Sequence, residues 1–197
     1  MGSIRGVRLK ISQALKVLRQ TIERIEVHCP PTWKPQGQGM LFSSTAQVRC
    51  TWVRWLQAAA LMHLLIGLGL TWAGHSPLLG NYQLSIEQAF WGQAAPAPAR
   101  EQQVWWLALF GATLQSYSLY MLGLIHLGDR LRSHSAWAWL ACGIVLWAPQ
   151  DMLVSLQAGM WSHLVIDGLA LLALLPPLLW LYRHDRPTTT LKGLERG

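Results

Sequence analysis

Apolar residues gather in four long stretches separated by polar, proline-bearing or basic segments. Three of them, residues 55–73, 105–127 and 163–182, each reach the roughly 20 residues that an α-helix needs to cross the hydrocarbon core of a bilayer. The fourth, 136–156, reaches that length only by running on through Pro149 and Asp151. A helix stopping at Ala148 would be short and would need a thinned bilayer or support from its neighbours. The pattern therefore predicts an all-α fold, an integral membrane bundle of four transmembrane helices.

Ahead of the first span, Ile4, Val7, Ile11, Leu15, Leu18, Ile22 and Ile25 recur at spacings of three and four. Arg5, Arg8, Lys16, Arg19, Glu23 and Arg24 take the other faces. This is the period of an amphipathic basic helix, predicted over 1–28, whose partner is the anionic inner leaflet or another helix. Cys29-Pro30-Pro31 and the stretch 35–39 interrupt it, so 29–54 reads as a linker. Met40, followed by Arg49, Arg54, an apolar run and Thr71-Trp72-Ala73, offers an alternative start with the outline of a secretory signal. Because that run is long for a signal and three more follow, it is read as a retained span.

The connection 74–104 contains Pro77, Gly80 and Asn81 as turn formers, and alternating Ala and Pro over 94–99 predict a stiff extended linker. Between them Ser85 and Gln88 have the spacing of a capping box for a short helix carrying Leu84, Ala89, Phe90 and Trp91. Such a helix rests at the outer surface or covers a site as a lid. Within the last span, Pro176 and Pro177 break the backbone ladder and free carbonyls that neighbouring groups must meet.

Composition agrees with this pattern. The chain is 52 % hydrophobic and 13 % charged, with twelve Trp, a residue that favours the boundary between lipid and headgroups. The formal charge of +7 could suggest nucleic acid, but its distribution does not. Nine of the sixteen Lys and Arg precede residue 55, Arg130 and Arg132 lie between the second and third spans, and four follow the last span. Only Arg100 falls in another connection. That is the positive-inside distribution, with both termini cytoplasmic, 74–104 outside and the tail 183–197 inside, as expected of a bacterial inner-membrane protein. No single basic face with readable motif residues supports nucleic-acid binding. Cys29, Cys50 and Cys142 share no CxxC spacing and fall on the cytoplasmic side or within a span, so no structural disulfide is expected.

Ionisable side chains inside a bilayer cost several kcal/mol, about 2.5 to 3.5 for Asp at mid-depth, and so need a reason. Asp151 and Asp167 are each eight positions from Gly159, the centre of the last hairpin, and should meet at one depth near its outer end. His163 lies one helical turn from Asp167 on the same face. Two carboxyls in a medium of low dielectric share a proton readily, which suits proton relay or the binding of a polar substrate. The plainer alternative places Asp151 and His163 among the headgroups, with Asp167 pairing locally.

On the first span, Ala59, His63, Gly67 and Thr71 form a stripe of small and polar groups suited to helix packing, with His63 well inside the membrane. The second span carries Thr113, Ser116, Tyr120 and Gly123 on one face, a stripe that could meet His63 and either bind the helices together or line a cavity. Bis-histidine haem needs imidazoles at one depth, but His63 is deep, His126 near the inner edge and His163 near the outer. Zinc spacing is absent, so neither haem nor structural zinc is expected, no metal site is proposed, and the cofactor stays unassigned. The sequence has no phosphate loop, nucleophile elbow or HExxH.

The four-span layout, the long loop after the first span and the Trp72-Ala73-Gly74 that closes it resemble the DoxX-like group of small bacterial membrane proteins. The resemblance covers topology and one tripeptide, and the basic residue that often follows in that group has no counterpart at His75 or Ser76. It carries no function to this chain. Two readings follow from the residues. One is an accessory or assembly subunit that binds a membrane protein partner, a second copy of itself or anionic lipid. The other is a small transporter or membrane enzyme that uses Asp151, His163, Asp167 and His63 as a polar site.

Overall fold

The computed structural model describes residues 40–186, with side chains from Thr45 onward. The predicted amphipathic helix over 1–28 and the tail beyond Arg186 lie outside the described residues. Within them are five α-helices: α1 (Met40–Trp72), α2 (Gly80–Trp91), α3 (Ala97–Leu131), α4 (His134–Gln157) and α5 (Trp161–His184). All except α2 are long and apolar enough to cross a membrane. The result is an all-α four-helix bundle in which α1 packs on α3, α3 on α4, α4 on α5 and α5 back on α1.

We call the end holding Arg49, Leu131 and His184 the basal end, and the end holding Trp72, Gly92 and Gly159 the loop end. Large apolar side chains such as Leu65, Leu146, Ile166 and Leu172 point outward, and Leu172 is 74 % exposed. That many outward apolar residues match a surface solvated by lipid rather than water.

Several elements differ from expectation for identifiable reasons. Residues 40–54 are helical rather than linker, because no Pro or Gly occurs between Met40 and Gly67 and one buried face continues through Arg49, Val53, Leu56, Ala60 and Leu64. The Ala-Pro stretch is not extended throughout, since α3 begins at Ala97 with a proline in its first turn, where the missing N–H has no helical partner to lose. Ser85 does not cap a helix. Helix α2 starts at Gly80, after a 3-10 turn at Pro77–Leu79 capped by Ser76, and the Ser85 hydroxyl donates to the Tyr82 carbonyl at 2.7 Å within it. Helix α4 runs unbroken through Pro149 and Asp151. Cys142 is free.

Close approach of α1 and α3 depends on two glycines. A Cβ on Gly111 would stand 2.6 Å from the Gly67 carbonyl oxygen and 2.6 Å from the Thr71 hydroxyl. With no side chain there, Gln115 reaches across and donates to Thr71 Oγ1 at 2.8 Å, and Thr71 donates to the carbonyls of Gly67 and Ala108. In α5 the ring at Pro177 leaves the Ala173 carbonyl without its helical donor. The Trp55 indole of α1 donates to that oxygen at 2.9 Å.

Candidate functional site

The turn between α4 and α5 is tight, with Gly159 at φ 73°, a conformation that costs a glycine little. Because the two helices leave this point antiparallel, residues equidistant from it meet in rungs. Ser155 and His163 form the first polar rung, with Ser155 Oγ 3.3 Å from His163 Nδ1. Asp151 and Asp167 form the next, one helical turn deeper, with their carboxyl groups close enough to interact electrostatically. Asp167 is 4 % exposed and its Oδ2 has no hydrogen-bond partner. Two carboxylates this close in a medium of low dielectric repel each other, which favours a proton on one of them.

Helix α2 covers this rung pair at the loop end. Its Tyr82 hydroxyl lies 3.2 Å from His163 Nε2, and the two rings are nearly parallel, with planes 10° apart. A neutral imidazole donates from one ring nitrogen and accepts at the other, so Ser155, His163 and Tyr82 form a continuous hydrogen-bonded chain in either tautomer. Burial, and after it the negative charge of Asp151, push the Tyr82 phenol above its ordinary range. Tyr82 therefore stays a neutral hydroxyl, able to donate and accept.

An ion pair between a buried carboxylate and a half-exposed guanidinium fixes α2. Glu87 is fully buried, accepts from Arg100 Nε at 2.6 Å and Nη2 at 2.8 Å, and accepts from the Ala95 N–H at 3.1 Å. The Arg100 hydrogen bond holds the Glu87 carboxyl below its usual range. Gln83 donates to the Gly74 carbonyl at 2.6 Å, and Gln103 of α3 donates to the Gln83 carbonyl. A shallow groove of about 440 Å³ on the outside of α4, lined by Gly143, Leu146, Trp147, Gln150, Asp151 and Val154, reaches Asp151 but not Asp167.

Asp151, His163 and Asp167 thus stand together in one cluster, although His163 bonds to Ser155 and Tyr82 and not to Asp167. His63 stands apart from it: its Nδ1 lies 2.7 Å from the carbonyl of Ala59 in its own helix. Gly67 and Thr71 pack against α3, but through Ala108, Gly111 and Gln115. Thr113, Ser116 and Tyr120, expected to face the first span, are exposed instead, Tyr120 at 72 %. The buried face of α3 passes through Leu107, Gly111, Ser118 and Met121, which turns that stripe outward. Among the described residues, no three His, Cys, Asp or Glu side chains are grouped to hold a metal ion.

Sequence reasoning missed Tyr82, Ser155 and Glu87, and it also missed a second polar cluster at the basal end. There Arg49 of α1 donates to Asp185 Oδ1 at 3.2 Å and Oδ2 at 3.0 Å, to Asp129, and to the carbonyls of Gly128 and Asp129. Trp137 of α4 donates to Asp185 Oδ2 at 2.9 Å. One guanidinium and one carboxylate so join all four long helices. Ser155 was legible in principle as the mirror of His163 about Gly159, but Arg49 and Asp185 are 136 positions apart and no local signal links them. No protein-family model, curated protein or solved structure matches the chain.

Proposed function

We propose that this chain is a bacterial inner-membrane protein with its basal end in the cytoplasm, and that it works as a small transporter or membrane enzyme which binds or protonates a polar group at the Asp151–Asp167 pair. Arg54, Arg130, Arg132, Arg183 and Arg186 gather at the basal end, whereas Arg100 at the loop end is neutralised by Glu87, a partition that supports this orientation. The observation that carries the functional reading is the buried, unpartnered Oδ2 of Asp167 beside a second carboxyl. A polar atom left without a partner in a membrane interior costs stability, and such groups concentrate at functional sites.

Infrared spectroscopy of the protein in lipid nanodiscs tests it. The wild type should show the C=O stretch of a protonated carboxyl at neutral pH, and Asp167→Asn and Asp151→Asn should each remove it while helicity persists. A wild type without that band would overturn the reading.

The second reading, an accessory subunit that docks on a membrane protein partner or on another copy of itself, draws on the outward Thr113, Ser116 and Tyr120. Hydroxyls facing lipid at mid-span are better placed against another helix. Cysteine at Ser116 should then form crosslinks to a second chain in native membranes; its remaining uncoupled would remove this reading's support.

A further inference from the structure

We infer that the ligand of the Asp151–Asp167 pair is a proton, that it enters from the loop end through Tyr82 and His163, and that α2 is the cover over this entrance. The inference rests on the functional reading above and names what its site takes and by which route. Asp167 Oδ2 is sealed from solvent, and the groove on the outside of α4 reaches Asp151 but not Asp167. A proton needs no volume beyond the hydrogen bond it occupies.

The route is set by the rungs. Tyr82 stands at the loop end and contacts His163 Nε2, while His163 Nδ1 contacts Ser155. That rung lies about 5.4 Å, one helical turn, from the carboxyl pair. In the inward step His163 takes a proton at Nε2 by way of the Tyr82 hydroxyl and releases the one on Nδ1 to Ser155 Oγ, and Ser155 passes its own hydroxyl proton on toward the pair. The carboxylate that receives it becomes a carboxylic acid. The N–H and O–H bonds broken equal those formed, and no electrons are transferred.

The charged and titratable groups around the pair leave few competing acceptors. His63 of α1 is held on its own helix, and His75, in the connection after α1, faces Glu101 at 4.0 Å. From α3, Arg100 is engaged by Glu87 of α2. Among the described residues, Tyr82 and His163 are left as the titratable groups between the pair and the loop end. The Glu87–Arg100 ion pair, with the Gln83 and Gln103 bonds, holds α2 in place over them.

The test is the rate at which the carboxylic C=O band shifts when nanodiscs are moved into deuterated water. Tyr82→Phe keeps the ring over His163 but loses the hydroxyl, and should slow the shift roughly a hundredfold, the low end of what a positioned proton donor contributes. His163→Gln should slow it as much, and Arg100→Gln, which releases α2, should speed it. A band that is present but exchanges at the wild-type rate in both Tyr82→Phe and His163→Gln overturns the route and leaves the functional reading standing. An unchanged rate in Arg100→Gln overturns the role of α2. Absence of the band in the wild type overturns the functional reading itself.

Discussion

Removing Arg49 is the most demanding perturbation of the bundle. Its guanidinium is 6 % exposed and meets Asp185, at 1 %, and Asp129, at 14 %. Arg49→Ala leaves Asp185 buried with only Trp137, His184 and the distant Arg132 as partners. Breaking a buried ion pair by deleting one member costs about 3 to 5 kcal/mol, because the remaining charge is left uncompensated. At about 2 to 4 °C per kcal/mol for a chain of this size, the unfolding midpoint should fall by roughly 6 to 20 °C.

Thermal unfolding in detergent, followed by circular dichroism, measures this, with Arg54→Ala at an exposed position of the same helix as the control. Burial pushes the Asp185 carboxyl up, but hydrogen bonds from Arg49, His184 and Trp137 together hold it below its ordinary value of 3.8. A lowered folded-state pKa stabilises fully above the unfolded value and ceases to do so as pH falls through the folded one. The deficit of Arg49→Ala should therefore be constant through neutral pH and shrink only in acid. A midpoint no lower than that of Arg54→Ala would refute the reasoning.

Other contacts give smaller, separable effects. Gly111→Ala should destabilise by about 1 to 3 kcal/mol, since its Cβ meets backbone and the Thr71 hydroxyl, whereas Gly123→Ala, with nothing within 4 Å, should leave the midpoint unchanged. Trp55→Phe should cost about 1 kcal/mol by orphaning the Ala173 carbonyl, and adding Pro177→Ala, which restores the helical donor, should recover part of it in the same unfolding assay. Because Arg100 holds Glu87 below its usual 4.5, the α2 fastening should persist above that value and loosen only as pH falls beneath it. Amide hydrogen exchange of Ile86 to Ala89 would report this, and α2 protection lost at neutral pH would contradict it.

The sequence by itself determined the four spans, because crossing hydrocarbon requires a minimum run of apolar residues and that run is a local property. It also determined the meeting of Asp151 with Asp167: a tight turn makes an antiparallel helical hairpin symmetric about its centre, so depth can be counted outward from Gly159. The demand of Pro177 for an outside donor was local too, but its answer was not. Which face each helix turns inward depends on contacts with helices far along the chain, and a span apolar on every side carries little periodic signal to reveal it. Thr113, Ser116 and Tyr120 were misplaced for that reason. Arg49 finding Asp185, Trp55 finding Ala173 and Tyr82 closing over His163 each join residues at least 81 positions apart. Only the packed bundle decides such pairs, since a polar group in a medium without water must find its partner wherever the fold brings one.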